Sequence, residues 1–371
     1  MAQAQKKNVK TSVWQRFIAG AAWASVLLLW AGAASVYVNP SWCSYAVVPG
    51  MGFPFLLAGT LLMLFFCLLF APRQAWIPLV GVVACFGSVM AYCPINFEKT
   101  APEGSISLMT YNVHGWGTAK NWDGDTNRTA AFIAARQPDI VCLQEAYCAD
   151  KVMAKIKKTM RTGGLTHFDS VKLSDNRLVC FSKYPIVGKE KVCSSKMNGA
   201  AAFKLLHPDG DTLIVVNCHL ESMHLSGDER SGFKKMVERN PKVNTNRTSR
   251  RLVSKISRAG VRRGLQADAV ADYVERHAGT PLIVCGDFND TPISYTCYTI
   301  GRDLHDAYRA SGNGLGRSYN RDAMFVRIDH VFCSSHWEAY EADVVDSVYL
   351  SDHHPVVCKL RLSRNLLWVS I

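Results

Sequence analysis

Between Phe17 and Pro72 the chain has no Asp, Glu, Lys or Arg, and it has none again from Gln74 to Phe97. Stretches this long without charge exclude a water-exposed N-terminal domain, whose surface would carry ionised side chains. Three apolar runs fill the interval, at about residues 17–38, 51–71 and 76–92. Each approaches the roughly 20 residues a helix needs to cross a bilayer. A cleaved signal peptide would explain the first run but not the two that follow it. The expectation is a membrane domain over residues 1–97, held in a lipid bilayer by three transmembrane helices. A polar linker, "EKTAPEG" at 98–104, then leads into a second domain over 105–371.

Also missing is any CxxC pair, and the thirteen cysteines are an odd number. Neither a zinc cluster nor a disulfide framework is indicated. Several cysteines lie inside apolar runs such as "DIVCLQE" and "LIVCGDF", where the thiol serves as a small hydrophobe. There is no internal repeat and no separate nucleic-acid-binding module.

Charge is present, but unevenly. Lys6, Lys7, Lys10 and Arg16 precede the first run, Arg73 separates the second from the third, and residues 39–47 carry none. The positive-inside rule puts the N-terminus and Arg73 in the cytoplasm. Three crossings then send the second domain to the periplasmic or extracellular side of an inner or plasma membrane. Ser226–Arg263 holds twelve basic and three acidic residues, a net of +9, and the first hundred residues have a net of +5. Taken from the total of +12, this leaves about −2 for the rest. The basic segment 226–263 reads as an inserted loop or helical arm, either a solvated charge run or a contact for polyanions. Arg247, Arg250 and Arg251 within it, with Arg177 and Asn217 elsewhere, are candidate substrate contacts.

Beyond Ser105, strand-like runs recur: "SISLMTYNV", "DIVCLQE", "RLVCFSKYPIV", "TLIVVNCHL", "PLIVCGDF", "IDHVFCS" and "HHPVVCKLRL". Helical spacing appears between some of them, in "RTAAFIAARQ" and in "LQADAVADYVERHAG", which starts after Gly264. Strands alternating with helices predict an α/β domain. The runs end in polar residues: Asn112 and His114, Gln144 and Glu145, Asn217, His219 and Glu221, Asp287, Asn289 and Asp290, Asp329 and His330, and Asp352, His353 and His354. Buried polar groups are costly unless they satisfy one another. A converging set of this kind is a network or a site.

Taken together, "NVHG", "LQE", "NCHL", "GDFN", "IDH" and "SDHHPV" resemble the endonuclease/exonuclease/phosphatase superfamily, in the family's order and over nearly all of the second domain. The resemblance implies a four-layered sandwich: two mixed β-sheets packed face to face, helices outside, and a cleft at one end of the sheets. It implies metal-dependent hydrolysis of a phosphate ester, phosphodiester ahead of monoester, by in-line attack of water. Mg²⁺ or Mn²⁺ would be held by Glu145 and Asp352 with help from Asn112. Asp287 resembles the carboxylate that activates water, Asn289 an amide on a phosphoryl oxygen, and His353 the histidine at the scissile phosphate, oriented by Asp329. His219 resembles the histidine that protonates the leaving oxygen. His114 departs from the pattern, standing where some members have an acid. The substrate, whether phospholipid, nucleic acid or another phosphate ester, stays open, and so does a silent polyanion-binding module of the same fold.

Overall fold

The computed structural model describes residues 13–237, 245–319, 321 and 326–363. Lys6, Lys7 and Lys10, and Arg239 and Lys242 of the basic segment, lie outside them, as does the side chain of Arg247.

Among the described residues, two N-terminal helices are long and apolar enough to cross a membrane, Val13–Tyr37 and Phe53–Phe70. The third predicted span is not one straight helix. Pro72–Ala84 and Phe86–Tyr92 meet at 60°. Each half has its own partner. Gly81 lies against Val26 of the first helix, with its carbonyl accepting from the Trp30 indole at 3.1 Å. Tyr92 is buried with Leu29, Phe53 and Ile293, the last from the second domain.

Strands then follow in chain order: β1 (Ile106–Asn112), the ribbon β2 (Trp122–Asp123) and β3 (Thr126–Asn127), β4 (Ile140–Gln144), β5 (His167–Leu173), β6 (Asn176–Ser182) and β7 (Ile186–Ser194). The rest are β8 (Gly199–Leu206), β9 (Thr212–His219), β10 (Leu282–Asp287), β11 (His305–Asp306), β12 (Asp329–Cys333), β13 (Trp337–Val344) and β14 (Val356–Leu362). Two six-stranded sheets result, ordered β13-β14-β1-β4-β6-β5 and β11-β12-β10-β9-β8-β7. Each has one parallel pair near its middle, β1 with β4 and β9 with β10, and antiparallel neighbours elsewhere. Parallel partners end together, and both pairs end at the mouth of the sandwich.

Alternation along the strands sorts residues between faces. Leu108, Cys142, Cys180, Val215, Cys285 and Val331 fill the space between the sheets. On the outside of the first sheet, helices Arg128–Arg136 and Asp150–Thr162 bury Ile133, Ile156 and Met160 against Tyr111 and Leu143. Outside the second sheet, Val270, Tyr273 and Val274 cover Ile214, Val216 and Val284. These belong to a single helix, Thr245–Arg276. The helix expected to start at Gly264 therefore begins some 19 residues earlier and absorbs half of the basic segment, preceded by helix Gly227–Val237. Burial of Leu252, Ala259, Arg263 and Ala267 along one side carries it through Gly260 and Gly264.

The N-terminal helices touch this domain directly. Asn39 donates to the Tyr295 hydroxyl at 2.9 Å, the Tyr37 and Tyr298 rings meet edge to face at 4.8 Å, and the Arg327 guanidinium donates to the carbonyl of Ala91. Asn96 already bonds Gly312 and Asn313, ahead of the expected linker.

Candidate active site

The alternation that puts Leu108 and Cys285 between the sheets continues to the strand ends, where Asn112, Gln144, Asn217, His219, Asp287 and Asp329 face the same interior. Register fixes their level: Asn112 pairs with Gln144, and Asp287 pairs with both His219 and Asp329. The inter-sheet core thus changes from apolar to polar at one end.

Deepest is a structural strut. Gln144 donates to Asn217 at 2.7 Å and to Thr110 at 2.9 Å, while the Asn217 amide donates to the carbonyls of Leu143 and Val179, both at 3.0 Å. Asn217 is fully buried and spent on joining the sheets, so it is not a substrate contact.

Above the strut lie the ionisable groups. Asn112 Nδ2 donates to Asp287 Oδ2 at 3.0 Å and to Glu145 Oε1 at 3.2 Å, linking the two sheets. His219 Nε2 is 3.4 Å from Glu145 and 3.7 Å from Asp287. His353 Nε2 is 3.6 Å from Asp287, and its Nδ1 is 2.8 Å from Asp329. His114 Nδ1 stands between two carboxylates, 3.3 Å from Glu145 and 3.7 Å from Asp352. Arg321 is 3.5 Å from the other oxygen of Asp352. Glu145, Asp287, Asp329, His219, His353, Asn112 and Asp352 therefore meet in one pocket.

Burial is the largest influence on most of these groups. It pushes the Asp287 carboxyl up to about 6, against the opposing charge of His353. Burial alone would depress His353, but the Asp329 and Asp287 carboxylates outweigh it and raise the imidazole to about 10. Burial would likewise raise Glu145, yet hydrogen bonds from His114, His219 and Asn112 hold it well below the usual carboxylate range. The site thus pairs a Glu145 held in its ionised form with an Asp287 carboxyl pushed up by burial.

Backbone strain collects at the same place. Glu145, Asn289 and His114 have φ of 51°, 53° and 44°, a region that costs residues with a Cβ. The turn at Asn289 is held by its N–H donating to Asp287 at 2.8 Å, while its side chain donates to the Leu220 carbonyl at 2.9 Å. Gly286, with φ 133°, is obligatory, because a Cβ there would lie 2.0 Å from the Cys218 carbonyl oxygen.

One positioning residue, Asn176, carries no signal in the sequence. Asn176 accepts the Arg177 N–H at 2.7 Å and donates to the Met197 carbonyl at 3.1 Å, which fixes its amide. The same nitrogen is 3.0 Å from His219 Nδ1, so Nδ1 accepts and the ring proton sits on Nε2, facing Glu145 and Asp287. Strand alternation turns Arg177 to the opposite face of β6 from Asn176, where its charge lies beside Cys148. The residue at the site is one position from the one expected. His330 faces outward and its Nε2 bonds the Asp290 carbonyl at 2.9 Å. Arg250 and Arg251 are exposed near the start of their helix, about 20 Å along its axis from the residues beside the pocket, and do not join it.

Two groups can be weighed for a metal. Asp287, Asp329 and His353 offer ligand atoms within 4.8 Å of one another. Within this candidate metal site His353 Nδ1 is already bonded to Asp329, which leaves Nε2 facing Asp287 at 3.6 Å. Glu145 and Asp352 are all-oxygen donors that already share one nitrogen, His114 Nδ1. Each stands within 3.7 Å of that nitrogen, and carboxylate oxygens are the donors a hard divalent cation takes.

A family model described as Endonuclease/Exonuclease/phosphatase family matches residues 109–353, and one described as a domain of unknown function (DUF8431) matches residues 15–92. No curated protein matches the chain. Among solved structures, an endonuclease/exonuclease/phosphatase from Beutenbergia cavernae is 21% identical, with 70% of this chain and 72% of that chain covered and a TM-score of 0.49. The human Nocturnin catalytic domain, with bound sulfate, is 19% identical over 70% of this chain and 94% of that one, TM-score 0.46. The beta toxin of Staphylococcus aureus, as a mutant with bound magnesium ions, is 13% identical over 68% and 99%, TM-score 0.43. The matched family model runs from β1 through both sheets to His353, and the chain belongs to the endonuclease/exonuclease/phosphatase family.

Proposed function

We propose that the protein is a membrane-anchored, divalent-metal-dependent phosphoesterase that hydrolyses phosphodiesters ahead of monoesters. The observation that carries this reading is the meeting of Asp287, His219, His353 and Glu145 within 3.7 Å contacts at the mouth of the sandwich. Glu145 and Asp352, with Asn112 beside them, would hold Mg²⁺ or Mn²⁺, which when bound neutralises charge on phosphoryl oxygens. Asp287, raised towards neutrality, is suited to orient a water and take its proton. His353, kept cationic by Asp329, faces the position of a phosphoryl oxygen and stabilises the charge that develops there. His219 presents Nε2–H to the same space and would donate a hydrogen bond to the leaving oxygen. Asn289 supports the turn beneath Asp287, its amide committed to Leu220, so its role is to position rather than to contact phosphate.

Contacts as well as charge support a catalytic domain on the side opposite the N-terminus. The loop between the first two spans, at residues 39–52, packs on the same domain that follows the third apolar segment. If the two straight helices cross, that loop lies opposite the N-terminus, and so does the catalytic domain. The bent segment then completes a third crossing. With the basic tail inside, the catalytic domain faces the periplasm or cell exterior.

The test uses the full chain in detergent with bis-p-nitrophenyl phosphate and Mg²⁺, Mn²⁺ or EDTA, followed by plasmid DNA, RNA, phospholipids and inositol phosphates. Metal-dependent hydrolysis that falls at least about a hundredfold in Asp287→Ala is expected. Hydrolysis indifferent to EDTA, or undiminished by that substitution, would overturn the mechanism. Binding of polyanions without turnover would favour the silent module.

A further inference from the structure

Helix Thr245–Arg276 carries Gly260 and Gly264 one turn apart, and both lie against the loop joining the first two spans. A Cβ on Gly260 would fall 2.6 Å from a Val47 methyl carbon, and one on Gly264 would fall 3.3 Å from Pro40. The same turn of helix bears Arg263, which is fully buried. Its Nε donates to Asp290 Oδ2 at 3.0 Å and its Nη1 to the Glu221 carbonyl at 2.9 Å. Asp290 closes the turn that begins at Asp287 and also accepts from Thr296 at 2.8 Å.

The far side of that turn meets the same loop. A Cβ on Gly50 would lie 2.6 Å from the Ile293 carbonyl, and the Ile293 side chain is buried among Leu29, Val36 and Phe53. Asn39 bonds Tyr295, whose hydroxyl donates to Asp268 at 2.6 Å on the long helix. The segment 287–296 is thus gripped between that helix and the membrane-side loop, and the loop touches both. Three glycines set a backbone-close fit, tightest at Gly50 and Gly260.

We propose that the loop joining the first two membrane helices is a positioning element of the catalytic centre: seated on Gly260, Gly264 and Ile293, it sets where the Asp287–Asp290 turn stands. The membrane domain is then a working part of the site and not a tether. This deepens the phosphoesterase reading and rests on it for the turnover readout, whereas amide exchange reports on the coupling whether or not the substrate is right.

The test is a size swap in the full chain, reconstituted in phosphatidylcholine nanodiscs. Gly260→Ala introduces the clash with Val47, and Val47→Ala removes both methyls that cause it. Gly260→Ala should speed amide exchange across residues 288–296. It should also lower kcat on a soluble diester about tenfold to a hundredfold at unchanged KM, the loss expected for a misplacement near 1 Å. The Gly260→Ala/Val47→Ala pair should restore both within about twofold. Gly264→Ala, with its looser contact, should give a smaller loss and guards against a Gly260 variant that fails to fold. Unchanged exchange, faster exchange with unchanged kcat, or a loss that Val47→Ala does not repair would each overturn the proposal. A parent chain that hydrolyses nothing would sink the phosphoesterase reading, leaving the exchange arm to decide the coupling.

Discussion

At the residue scale, the Asp329–His353 pair makes a claim with a sign. The folded imidazole titrates near 10, above an unfolded value of about 6.5. Its stabilising contribution is therefore complete below about pH 6.5 and is lost as pH rises towards 10. Asp287 has the same direction lower down: raised from 3.8 to about 6, its contribution is lost as pH rises through that window. Thermal unfolding of the metal-free chain in detergent should show a midpoint that falls from pH 6.5 to 10, and Asp329→Asn should flatten that fall. In turnover, activity should rise with ionisation of Asp287, on a limb at or below 6 because bound metal favours the carboxylate, and decline as His353 loses its proton. Asp329→Asn should move the alkaline limb downward and cost about 10²–10⁴ in kcat. An alkaline limb that stays put would remove His353 from the mechanism. The residues that meet at the proposed site were legible because their types cannot be buried in such numbers without a reason. Those that hold them in place were not: Asn176 fixes the His219 tautomer from a strand start that reads as an ordinary turn, and Arg263 is one basic residue among twelve in its segment.

At the scale of elements, the sequence pattern succeeds where strands are buried on both faces and fails at edges. β1, β4, β9, β10 and β12 are continuous apolar runs because both faces are covered. β5 and β13 are half-exposed edges with mixed composition, and β8 begins Gly-Ala-Ala-Ala, a poor strand former. The long helix escaped for a different reason. Its exposed side carries Arg251, Arg258 and Arg262, so the charge run hides an apolar side that begins at Leu252. Arg263 ties this helix to the turn at Asp290 and to the Glu221 carbonyl. Replacing it with Met strands the Asp290 carboxylate in a buried position, at a cost of about 3–5 kcal/mol. Arg263→Met should therefore lower the unfolding midpoint sharply. Adding Asp290→Asn should recover part of the loss, because the amide carries no charge and can still accept from Thr296. Additive losses in the double variant would mean that the two side chains do not act as a pair.

At the scale of the whole molecule, the parity of crossings decides where the reaction takes place. Charge counting alone assumes that the third apolar segment spans, and the 60° bend at its middle leaves room for a re-entrant turn. The contacts add an independent constraint. A domain packed against Pro40, Val47 and Gly50 shares their side of the bilayer, which is the side opposite the tail whenever Val13–Tyr37 crosses. A re-entrant third segment would bring the chain back to the side of Arg73, and the domain could not reach residues 39–52. Labelling can read this directly, because Cys43 is exposed in that loop. In cells whose outer envelope is permeabilised, a membrane-impermeant maleimide should modify Cys43, and protease should reach the catalytic domain under the same conditions. The thiol introduced by Arg73→Cys should stay unmodified until the bilayer is dissolved, while Cys43 in the same chain reacts. Labelling of Arg73→Cys together with Cys43 would mean that Phe53–Phe70 does not cross. A protected domain beside an accessible Cys43 would contradict the packing that joins them, and with it the view that the membrane helices and the catalytic sheets form one working unit.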